Sequence, residues 1–167
     1  IPDIRGLIRR RLLVNYRVDP AVIQRQLPYP FRPKLQHGRH AIAGICLIRL
    51  EHIRPKLMPA VMGFSSENAA HRIAVLWDDE AGAHEGVYIP RRDTSSLMNH
   101  LAGGWIFPGE HYRATFDIEE QDNHIQFRME SADHATKVEV SASVSDQLQQ
   151  GSCFRSLQEA SDFFSTG

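Results

Sequence analysis

Cysteine and lysine are scarce: the 167 residues hold only Cys46 and Cys153, with Lys34, Lys56 and Lys137 as the complete set of side-chain amines. The two cysteines lie far apart and neither forms a Cys-x-x-Cys pair. That spacing excludes a disulfide scaffold and a cysteine zinc site, and reduced thiols in a cytoplasmic protein are the simplest reading. Long apolar runs are also missing. The longest, 41–48, is strand-sized, and the opening residues show no signal-peptide pattern, so no membrane association is expected. Charge of either sign is not in excess: 19 Lys and Arg meet 20 Asp and Glu, for a net charge of −1. Without a basic block interleaved with aromatics, nucleic acid is not an expected partner.

Several chemical signatures are absent too. There is no Gly-x-Ser-x-Gly elbow, and Gly103-Gly104 is not followed by the Gly-Lys-Ser/Thr ending of a phosphate loop. Neither a serine nucleophile of that kind nor a nucleotide cofactor is expected, and no cofactor is assigned. Nine histidines include His37-x-x-His40 and the scattered His111, His124 and His134. A zinc centre needs three or four converging ligands, and no compact set is visible, so no metal is assigned.

What is present suits one domain over 1–167, since 42% hydrophobic content provides for a substantial core. The start at Ile1 and the stop at Gly167 read as the ends of a trimmed domain, which leaves room for further C-terminal strands. A strand is expected over 12–16, then a helix capped by Asp19-Pro20 with Val22, Ile23 and Leu27 on one face. A short strand over 31–35 and the turn His37-Gly38 lead into a continuously apolar strand over 41–50. The proline-bearing stretch 51–62 reads as a long loop. Strands over 73–77 and 86–89 flank the acidic turn 78–82 as a hairpin. Asp93 or Thr94 is expected to cap a short helix bearing Leu97, Met98 and Leu101, with His100 facing inward. Strands over 112–119, 124–130 and 136–144 follow, the middle one alternating Ile125, Phe127 and Met129. Ser156 and Glu159 form a capping box for a last helix with Leu157, Ala160 and Phe164. Many strands and two or three short helices predict an α+β, mainly β fold, an antiparallel or mixed β-barrel.

One stretch carries polar groups into this apolar frame. In 64–77, Glu67, Asn68 and Arg72 stand at the head of a run that otherwise reads as buried strand. Buried charge must pair or reach a cavity, so these residues mark a candidate pocket. Arg9-Arg10-Arg11 lies in the apolar alternation of the first strand.

The segment Arg9-x-x-Leu12-x-Val14-x-Tyr16-Arg17-Val18-Asp19, with Leu27-Pro28 after the helix, resembles the opening of the acetoacetate decarboxylase-like superfamily. Together with Ser66-Glu67-Asn68 and Ser156 to Phe164, it is most similar to the uncharacterised YqjF-like branch, a domain of unknown function. The resemblance implies a closed or cone-like β-barrel around a pocket that holds an arginine, a glutamate and a Schiff-base lysine. It assigns the arginine to Arg9 and the glutamate to Glu67. The lysine does not carry over: the matching region, 88–96, contains none. Imine formation needs a neutral primary amine, which a guanidinium cannot replace; acetoacetate decarboxylase is itself the standard case. Lysine-dependent decarboxylation is therefore not expected.

The ligand-binding set read from the sequence is thus Arg9, Glu67, Asn68 and Arg72, with Trp77, Tyr88 and Met98 as apolar wall. Three functions fit it. The first is an enzyme on a small, anionic organic acid, a lysine-independent lyase, isomerase or hydrolase with Glu67 as acid/base and Arg9 as carboxylate clamp. The second is a non-catalytic barrel that only binds a small molecule. The third is a structural or homo-oligomeric protein in which Glu67 merely pairs with Arg9 or Arg72.

Overall fold

The computed structural model describes residues 3–96 and 110–165, the side chain of Ala60 excepted. Nine strands dominate them: β1 (Ile4–Val18), β2 (Arg32–Pro33), β3 (Leu35–Gln36), β4 (His40–Pro55), β5 (Phe64–Asp79), β6 (Gly82–Thr94), β7 (Glu110–Gln121), β8 (His124–Ser131) and β9 (Lys137–Ser143). Two α-helices accompany them, α1 (Pro20–Gln24) and α2 (Leu157–Phe164). The expected helix around Leu97, Met98 and Leu101 lies outside the described residues. Among those described, no helix is long and apolar enough to cross a membrane.

The hydrogen-bonded order is β1-β4-β5-β6-β7-β8-β9, with β2 paired to β5 and β3 to β4. The sheet is mixed, because β6 and β7 run parallel from Arg91 opposite Glu110 to Thr94 opposite Arg113, whereas β7, β8 and β9 pair antiparallel. No pairing among the described residues joins β1 to β9. The mainly β expectation holds, but the expected closure into a barrel is corrected to an open strand path.

Two compact units are distinguished, and β1, β4, β5 and β6 each contribute to both. The first comprises Ile1–Val14, Ile45–His71 and Pro90–Val144. Its core is Leu47, Ala69, Phe127, Met129 and Val138, flanked by Leu12, Val14 and Phe116. Side chains of a strand alternate between faces, and β8 obeys this strictly: Phe127, Met129 and Ser131 are buried while Gln126, Arg128 and Glu130 are exposed. Phe116 meets Phe127 edge to face, the centroids lying 5.9 Å apart.

The second unit comprises Asn15–Gly44, Arg72–Ile89 and Ser145–Gly167. Ile23, Ala41, Ile73 and Val75 form its core, with Phe31, Trp77 and Tyr88 packed against them. Asp19 caps α1, its carboxylate accepting from the Ala21 amide at 2.7 Å, and the helix stops at Gln24, short of Leu27. Ser156 caps α2 by accepting from the Glu159 amide at 3.1 Å. Glu159 in turn accepts from the amide of Arg155, one residue before the N-cap that a capping box would use.

Two expectations fail by element length. The strand over 12–16 extends back to Ile4, and the first part of the expected loop over 51–62 is strand, since β4 continues to Pro55. His52 sits there with φ +54°, and Gly63 passes so close that an added Cβ would lie 2.7 Å from the His52 Cα. Asp93 and Thr94 belong to β6, and the helix either was expected to cap lies outside the described residues.

Candidate functional site

Alternation on β1 decides which arginine enters the first unit. Arg10 shares parity with Leu12 and Val14, which pack against the core, so it points inward with only 12% of its side chain exposed. Its guanidinium lies over the Phe127 ring, 5.7 Å from the centroid. One terminal nitrogen donates to Glu67 Oε2 at 2.5 Å and the other to Glu120. The buried Arg10 Nε has no hydrogen-bond partner among the described residues.

Glu67 occupies the matching face of β5, two residues before the core residue Ala69, with 13% of its side chain exposed. Arg49 donates to its second oxygen, Oε1, at 3.1 Å and to Glu51 at 2.8 Å. The backbone is pinned as well: the Glu67 amide donates to Ser95 Oγ at 2.9 Å, and the Ser95 amide to the Glu67 carbonyl at 3.0 Å. Burial pushes the Glu67 carboxyl above its ordinary range, against the opposing pull of Arg10 and Arg49. Glu51 moves the other way, held down chiefly by its hydrogen bond from Arg49. The result is a half-buried acid that retains a proton more readily than a surface glutamate, in direct contact with two cations.

The other expected residues are placed differently. Arg9 stands on the exposed face of β1, one residue out of phase with the inward set, so Arg10 takes the position beside Glu67. A slip of one residue along a strand reverses the face. Asn68 has the opposite parity to Glu67, and its amide donates to the Ser66 carbonyl at 3.2 Å and hydroxyl at 2.9 Å. Arg72 belongs to the second unit, where it is buried beside a cavity of about 10 Å³ also lined by Asn15, Lys34 and Phe163. That volume holds a single water at most. Trp77 and Tyr88 also belong to the second unit, in an aromatic group around Phe31 with centroids 5.6 Å from each. Met98 lies outside the described residues. Among the described residues, no three His, Cys, Asp or Glu side chains converge as metal ligands.

A second charged cluster in the first unit escaped the sequence reading. Asp93, fully buried on β6, accepts from His71 Nε2 at 2.9 Å and from Arg91 at 2.8 Å. Arg91 also forks onto Asp133 with two contacts of 2.9 Å, and its guanidinium stacks 3.9 Å from the Tyr112 ring centroid. Burial pushes the Asp93 carboxyl up, but the bonds from His71 and Arg91 outweigh it and leave the group below the usual carboxylate range. Asp133 is also held well down, principally by Arg91. The signal available was Arg91-x-Asp93, an i, i+2 pair on one strand face, which reads as a bend if 90–96 is not taken as strand.

These features define a mainly β protein with an inward carboxyl–guanidinium network on adjoining strands. The chain belongs to the DUF2071 family, described as an uncharacterized conserved protein, whose model matches residues 7–166. No curated protein matches it.

Proposed function

We propose that the first unit binds a small anionic organic molecule at Glu67, with Glu67 as the acid/base group and Arg10 as the carboxylate-binding arginine. The observation that carries this reading is the shielded Glu67 carboxyl in contact with the Arg10 fork. An incoming carboxylate would compete with Glu67 for the guanidinium donors, and Glu67 would take up a proton as it released them. Charge in the site is then conserved, which matters where water is scarce.

The resemblance to the acetoacetate decarboxylase-like superfamily supports the same pair of residue types, with Arg10 in place of Arg9. Among the described residues, the carboxylate of Glu67 is bonded by two arginines and its backbone amide by Ser95, not by an amine. Lys34, Lys56 and Lys137 pair instead with Glu85, Asp3 and Glu139. Any turnover would therefore be lysine-independent. Both cysteines are free thiols, which fits a reducing compartment.

A second reading, a structural brace, is favoured by one observation: both oxygens of Glu67 are already bonded to guanidiniums. A thermal-shift series of small carboxylic and keto acids separates the two. Ligand binding predicts that at least one acid raises Tm for the wild type, reflecting a stabilisation of about 2.7 kcal/mol at a hundredfold excess over Kd, and that Arg10→Met abolishes the rise. Should no acid stabilise the wild type, the brace stands and the pocket falls. Catalysis further requires turnover that Glu67→Gln removes while the thermal shift persists.

A further inference from the structure

The His71–Asp93 contact has consequences independent of Glu67. Asp93 is wholly shielded, and its carboxylate accepts from His71 Nε2 and from Nε and a terminal nitrogen of Arg91. A carboxylate only accepts, so the bond requires a proton on His71 Nε2. In the neutral ring the lone pair then lies on Nδ1. A quarter of the His71 side chain is exposed, and Nδ1 has no hydrogen-bond partner among the described residues. Buried acid, oriented imidazole and available ring nitrogen are the elements of a base held by a positioning carboxylate.

The neighbourhood also limits the substrate. Arg91 is spent on Asp93 and Asp133 and stacked on Tyr112, whose hydroxyl donates to Glu110 at 2.7 Å. With His71 neutral, Asp93, Asp133 and Arg91 together carry one excess negative charge, and no cation is left over within this group to grip an anion.

We propose that His71 is a general base, positioned by Asp93, acting on water or a hydroxyl group in reaction with a neutral or cationic small molecule. Nδ1 takes the O–H proton as that oxygen bonds to an electrophilic carbon. The imidazolium faces the Asp93 carboxylate, and its Nδ1 proton then passes to the leaving oxygen as the bond from carbon to that oxygen breaks. The step needs no oxidant or reductant.

The test uses the whole chain and para-nitrophenyl acetate, a neutral ester, at a pH above the ordinary histidine range. Nitrophenolate release by the wild type should exceed that by His71→Gln by about a hundredfold, the lower end of what a positioned general base contributes. His134→Gln removes another exposed imidazole, one paired with Glu130 at 2.7 Å, and should leave the rate unchanged. Equal rates for wild type and His71→Gln, including no release by either, overturn the proposal. An equal loss in His134→Gln also overturns it, since the rate would then belong to any exposed histidine. Nitrogen NMR of the wild-type imidazoles reads the positioning role without a variant at Asp93. His71 should be protonated at Nε2 and bare at Nδ1 in its neutral form, and the reverse tautomer refutes the role of Asp93. If Asp93→Asn folds, that tautomer preference should collapse and nitrophenolate release should fall with it.

Discussion

Arg10 and Arg9 are chemically identical neighbours with opposite surroundings, one against Phe127, Glu67 and Glu120, the other on the open face of β1. Replacing Arg10 with methionine leaves the shielded Glu67 short of a cation, and urea unfolding should show a loss of about 3 kcal/mol. Arg9→Ala should change stability by no more than about 0.5 kcal/mol, as for an ordinary surface position. Equal costs for the two would refute the inward assignment. Glu67 was legible in the sequence because an acid at the head of an apolar run is an anomaly that burial must resolve. Its partner was legible as well: Arg10, Leu12 and Val14 share a parity that Arg9 does not. Placing the arginine by family offset overrode that physical signal. The His71–Asp93 bond was not legible, because nothing in local spacing tells a histidine on β5 that an aspartate on β6 lies alongside.

Whole elements show the same division. The antiparallel run β7, β8 and β9 could be read almost residue by residue, because its alternation of apolar and polar positions is uninterrupted. The continuation of β4 was hidden by Pro55 and by polar residues, which resemble loop chemistry although the strand persists to its end. Gly63 is the sharper clue there. A methyl group at that position would meet the His52 backbone at 2.7 Å, and backbone cannot swing aside as a flexible side chain can. Gly63→Ala should therefore lower the denaturation midpoint by the equivalent of about 1–3 kcal/mol, the usual range for overpacking. An unchanged midpoint would mean that β4 yields at His52.

Among the described carboxyl groups whose titration is shifted, those depressed outnumber those raised. Asp78, Asp79, Asp93, Asp133, Glu51 and Glu159 are held below their ordinary values and Glu67 above. A depressed carboxyl contributes stability that is present above its unfolded pKa and lost as pH falls through its folded value. The raised Glu67 contributes stability present below its unfolded pKa and lost as pH rises through its folded one. Asp78, Asp79 and Asp133 are exposed and Glu51 and Glu159 partly so, and each contributes little, which leaves buried Asp93 as the main acid-sensitive point among these groups. Unfolding measured against pH should thus show stability falling below about pH 4, where unfolded carboxylates begin to protonate. Glu67→Gln should remove the small opposing slope and leave that acid-side decline in place. The scarcity of lysine has a practical corollary. Of the three side-chain amines, Lys56 and Lys137 are open to solvent, whereas Lys34 is 15% exposed, bonded to Glu85 and to the Phe163 carbonyl with the Phe163 ring 4.5 Å away. An acylating reagent would mark the first two at once and Lys34 only as α2 lifts off, which makes one amine a built-in timer for the detachment of the last helix.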